Sequence, residues 1–129
     1  MPFDLSIDVA SAMVVVTHRG LSSREECDQV LAMLASDRRI EPSFGVLIDV
    51  RLIEYEPTFE DLRALGGMMA ARLQNRIAFV VATPLQFGVS RQSGAFGELG
   101  GAQIDVFYKY LEAVGWLTGH RNGGHAATA

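Results

Sequence analysis

Gly45-Val46-Leu47-Ile48-Asp49-Val50 is the stretch on which the reading of this chain turns. It is short, apolar and rich in β-branched residues, which is how a strand covered on both faces reads. Pro57-Thr58 then opens a helical pattern, with Thr58 as N-cap, Asp61 near the third helical position, and Phe59, Leu62, Leu65, Met69 and Leu73 along one stripe. Ile77-Ala78-Phe79-Val80-Val81-Ala82 returns as another buried-type strand. A strand, a helix and a strand at this spacing allow a crossover to a parallel partner, so the centre of the chain is α/β.

Toward the N-terminus, Phe3, Leu5, Ile7 and Val9 alternate with Asp4, Ser6 and Asp8, the period of a half-buried edge strand. Met13-Val14-Val15-Val16-Thr17 follows as a strand of the covered type, close enough for an antiparallel hairpin. Gly20 is read as its end. Ser22 or Ser23 then caps a helix, with Glu25 or Glu26 placed to close the box and Cys27, Val30, Leu31 and Leu34 on one face. Cys27 is expected there as a buried, inert thiol.

Toward the C-terminus, Thr83-Pro84-Leu85-Gln86 combines an N-cap, a proline in the first turn and a glutamine at the third position. Gly88, Gly94 and Gly97 predict that this third helix is frayed or flexible. Ile104-Asp105-Val106-Phe107 makes a short last strand, and Tyr108 to Leu117 a final helix. In the second helix, Gly66-Gly67 costs about 1 kcal/mol per glycine relative to alanine, so close backbone packing or a partner must compensate. A domain over residues 1–118 and a flexible Gly/Ala/His tail over 119–129 are expected.

A chain of 129 residues fits one domain, and 49% hydrophobic residues exclude general disorder. The net charge of −4 and a single lysine, Lys109, leave no basic face for nucleic acid. No apolar run approaches the roughly 20 residues needed to span a bilayer. One cysteine makes no internal disulfide, and the first residues do not read as a leader, so a soluble, cytoplasmic protein is expected.

Phe107 stands four residues before Leu111, and Glu112-Ala113-Val114-Gly115-Trp116-Leu117 closes the domain. With Val14-Val15-Val16-Thr17-His18-Arg19-Gly20, Leu47-Ile48-Asp49-Val50-Arg51 and Phe79-Val80-Val81-Ala82, this resembles the SpoIIAA-like family over Phe3 to about Leu117. The resemblance implies a STAS-type α/β domain, related in shape to CRAL-TRIO lipid-binding domains. Its mixed five-stranded sheet would follow the chain order β-β-α-β-α-β-α-β-α. In the antagonists of that group a phosphorylated serine follows the third strand in an Asp-Ser-Ser-Gly-Leu-like motif. Here Glu54-Tyr55-Glu56-Pro57-Thr58-Phe59-Glu60-Asp61 stands in its place. Thr58 is the nearest candidate for phosphorylation, and Glu56, Glu60 and Asp61 would repel the phosphate.

Ligands in open α/β sheets favour the carboxyl ends of parallel strands, where helix N-termini point. That rule gathers His18 and Arg19 after the second strand, Arg51, Glu54 and Tyr55 after the third, and Thr83 after the fourth. Ordinary loop and cap roles compete for each. Phe87-Gly88-Val89 and Phe96 add an apolar candidate, a pocket exposed if the glycine-broken helix lifts. Asp49, inside an apolar strand, needs an arginine partner or a strand-end position. No catalytic constellation, metal cluster, dinucleotide fingerprint or cofactor motif is legible. The first functional expectation is therefore a non-catalytic regulatory domain that binds a protein partner or its own copy as a homodimer. The alternative is a carrier or sensor of a lipid or small apolar ligand beneath the third helix. A small enzyme stands third.

Overall fold

Phe3–Asp8 (β1) and Met13–Leu21 (β2) form the expected hairpin, paired antiparallel from Phe3 opposite His18 to Asp8 opposite Met13. The computed structural model describes residues 3–119; the expected tail lies outside the described residues except for Gly119. Three parallel strands follow: Gly45–Glu54 (β3), Arg76–Val80 (β4) and Gln103–Phe107 (β5). The sheet order is β1-β2-β3-β4-β5, so each strand lies beside its predecessor.

The helices Arg24–Ser36 (α1), Phe59–Arg72 (α2) and Pro84–Leu99 (α3) each connect neighbouring parallel strands. Three crossovers of one hand, all stepping in one direction, must place their helices on one face. There Val30, Leu31, Leu34 and Met69 pack against Val14, Val16, Val46, Ile48 and Ile77. The last helix, Tyr110–Gly119 (α4), covers the opposite face, with Ala113 and Leu117 against Met13, Leu47, Ala78 and Val80. Coverage on both sides explains why β3 and β4 read as continuous apolar runs rather than alternating ones.

The caps are those the sequence encodes. The hydroxyls of Ser23, Thr58 and Thr83 accept from the backbone N–H groups of Glu26, Asp61 and Gln86. At Thr58 the box closes, because Asp61 also accepts from the Thr58 N–H at 3.0 Å. At Thr83 the Gln86 amide oxygen instead reaches the Ala82 N–H, at 2.7 Å.

Two local expectations are corrected. Gly20 does not end β2; at a φ of +71° it stays in the ladder opposite Ile53, because β3 itself continues to Glu54. Nor is α3 frayed: it runs unbroken from Pro84 to Leu99. Gly94 and Gly97 serve close packing, while Gly88 has open space around it. A Cβ on Gly97 would lie 2.6 Å from Ile104 Cδ1, and one on Gly66 of α2 would lie 2.5 Å from the Ser93 carbonyl oxygen of α3. In α2, which carries Gly66, Met69 is buried in the core and Met68 packs against it, so that pair faces inward.

Unequal strand lengths shape one end of the molecule. β2 has 9 residues and β3 has 10, while β4 and β5 have 5 each. The pairing of Thr17 with Asp49 and of Arg19 with Leu52 leaves one extra residue in β3, a bulge at Val50-Arg51. Beyond it the two long strands run past the end of the shorter ones.

Candidate functional site

A cavity of about 1000 Å³ opens between this overhang and the helix layer. Ile48, Val50, Ile53 and Phe79 form its sheet side; Val30 and Leu31 of α1, and Leu62, Leu65 and Met69 of α2, face them. α3 closes the third side with Val89, Ser90 and Ser93. Two serines and a valine are small, which leaves space where leucines would fill it. The rim carries Leu21 and Leu85, 78% and 71% exposed, with Glu54 and Glu56 beside them.

Few polar groups reach the wall. His18 is 4% exposed, packs at a tilt against Phe3 with ring centroids 6.0 Å apart, and has no hydrogen-bond partner at Nδ1. Burial lowers its pKa below the ordinary 6.5, so its imidazole is neutral at pH 7. The Ser22 hydroxyl likewise lacks a partner of ordinary hydrogen-bond geometry, although the Cys27 thiol lies beside it. Burial pushes that thiol up to about 11. The Tyr55 hydroxyl donates to Asp61 Oδ2 at 2.9 Å, and burial first, then this bond, raises its pKa. The same bonds hold the Asp61 carboxyl below its usual range, the Thr58 N–H contributing most. Among the described lining residues there is no lysine or arginine.

The residues gathered by the strand-end rule do not all meet. His18, Tyr55 and Thr83 stand in the cavity wall. Arg19, next to His18, is an exposed side chain paired with Asp4. Arg51 grips Asp49 and lies 5.6 Å from the ring centre of Tyr110, on the face covered by α4. Phe87 stacks on Tyr108 at 5.1 Å and an interplanar angle of 6°, away from the cavity. Phe96 meets Phe59 edge to face at 5.5 Å. Thr58 caps α2. Successive side chains of a strand point to opposite faces, so neighbours in sequence such as His18 and Arg19 part company. The strand order also never reverses, so no crevice of the doubly wound kind draws the ends together.

Ser22 and Cys27 are wall residues that sequence reasoning missed, while Val89, one of the apolar candidates under the third helix, does line the cavity. Cys27 was expected among core side chains, and its helix face does turn inward, but toward space rather than packed atoms. The readable signal was the alternation continuing past Thr17, which lengthens β2 and carries Leu21 to the rim.

No family model and no curated protein matches the chain. Among solved structures it is similar to an uncharacterized protein of the DUF3478 family with a SpoIIAA-like fold, from Shewanella loihica PV-4. The two are 19% identical, the match covers 89% of this chain and 93% of that one, and the TM-score is 0.61. This chain has a SpoIIAA-like fold. Among the described residues no helix is long and apolar enough to cross a membrane.

Proposed function

We propose that this domain is a non-catalytic carrier or sensor that holds a small, mainly apolar ligand between its sheet and α3. The observation that carries the reading is the cavity itself. Protein interiors are packed as densely as organic crystals, with few voids larger than a water molecule. A space of about 1000 Å³ with hydrocarbon on most of its wall stands at the upper end of the roughly 300–1,000 Å³ typical of small-molecule pockets. Apolar surface held open to solvent is stabilised when a hydrocarbon replaces the water.

Nothing about the polar groups favours a reaction. Among the described residues no carboxylate acts on His18, Tyr55 and Asp61 are bonded to one another, and Cys27 is held in its unreactive thiol form. Titration with the uncharged fluorophore N-phenylnaphthylamine tests the proposal, together with mass spectrometry of solvent extracts of the purified protein. Saturable emission at one dye per chain is expected. Absence of both a dye signal and an extracted ligand would overturn it.

A further inference from the structure

We infer that the cavity selects an uncharged amphiphile, an aliphatic alcohol or a molecule of like chemistry, whose hydroxyl bonds to the imidazole of His18. The inference rests on the cavity being a ligand site and adds what kind of ligand it takes. His18 is a polar side chain almost wholly removed from solvent, in the wall of an apolar chamber, and among the described residues its imidazole has no hydrogen-bond partner. Buried polar groups are nearly always satisfied, so an unpartnered imidazole in a chamber wall marks where a ligand's polar group belongs.

The neighbours fix the charge of that group. Glu54 and Glu56 carry the only charges in the described wall, and no lysine or arginine stands there to neutralise an anionic head. A carboxylate entering would leave water without gaining a counterion. An ammonium head would find the two glutamates at the rim, but the unpartnered polar ring is the histidine's, and burial disfavours its charged form. A hydroxyl both donates and accepts, so it meets a ring nitrogen in either tautomer of a neutral imidazole. The hydrocarbon tail then lies against the aliphatic side chains of α1, α2 and the sheet.

Titrations followed by NMR with octanol, octanoate and octylamine, with toluene as a purely apolar control, test this. Octanol should bind at least about tenfold more tightly than either charged analogue, the scale of one hydrogen bond to a neutral group plus the avoided charge burial. His18→Phe should weaken octanol about tenfold while leaving toluene unchanged, which also shows that the variant has kept its fold and its chamber. Octanoate or octylamine binding as tightly as octanol would overturn the inference, as would undiminished octanol binding by His18→Phe. In both cases toluene binding would leave the cavity reading standing. Failure of all four compounds to bind would instead remove the cavity reading and this inference together.

Discussion

Gly66 of α2 and Gly97 of α3 bring two helix backbones into contact: a Cβ on Gly66 would stand 2.9 Å from the Gly97 nitrogen, and one on Gly97 would stand 3.3 Å from the Gly66 carbonyl oxygen. The contact pins the middle of α2 to the last third of α3. The cavity lies toward the other end of α3, where Leu85, Val89 and Ser90 face it. Close packing in one half of the helix pair and open space in the other are therefore two aspects of one arrangement.

Gly66→Ala should destabilise the domain by about 2 kcal/mol, because the new methyl meets backbone atoms that can yield only if the helices separate. Gly67→Ala, one residue on, has open space around the added Cβ and should gain up to about 1 kcal/mol from helix propensity. Urea denaturation of the pair checks the contrast. Equal effects would show that the contact does not set the helix spacing.

Asp49 is buried and is held by Arg51 through Nε at 3.0 Å and Nη2 at 2.7 Å. The Arg51 side chain is 40% exposed, which moderates the worth of the pair. Arg51→Ala should still cost about 2 kcal/mol, since it leaves a buried carboxylate without its main partner. Combining it with Asp49→Asn should cost less than the sum of the single changes, as a double-mutant cycle would show.

The titration of His18 gives stability a definite slope. In the unfolded chain its imidazole has the ordinary value of 6.5, and burial lowers that value in the fold. The unfolded state then binds more protons, so the contribution is fully present above about pH 6.5 and is lost as pH falls through the lower folded value. Thermal melts from pH 7.5 to 5 should show Tm dropping more steeply for the wild type than for His18→Phe. His120 and His125 are common to both proteins and cancel in the comparison.

Cys27 offers a chemical gauge of the cavity. Its thiol, pushed up from 9.0 to about 11, carries about a hundredfold less thiolate at pH 8 than an ordinary cysteine. Alkylation by iodoacetamide should be slower by that order than for a free thiol, and slower again when octanol is bound. A rate insensitive to every cavity ligand would place the thiol outside the occupied space.

Val89→Trp should fill the cavity from the α3 side. The added ring enters existing space, so the change in stability should stay within about 1 kcal/mol while dye and octanol binding fall by at least tenfold. Retained binding would mean that ligands sit elsewhere.

The chain's own pattern determined the element order, the three caps and the covered strands, since each depends on neighbours a few residues away. Thr83-Pro84-Leu85-Gln86 specifies a helix start whatever surrounds it, and Val46-Leu47-Ile48 demands cover on both faces. The site was legible only in part. His18, Tyr55 and Thr83 reach one wall while Arg19, Arg51 and Phe87 turn elsewhere, because the face a side chain takes depends on strand alternation, the bulge at Val50-Arg51 and ring stacking. The chamber itself was decided by tertiary structure alone. It is the space left when two long strands outrun two short ones and glycines draw α2 and α3 together at one end, and empty volume has no residue of its own to announce it.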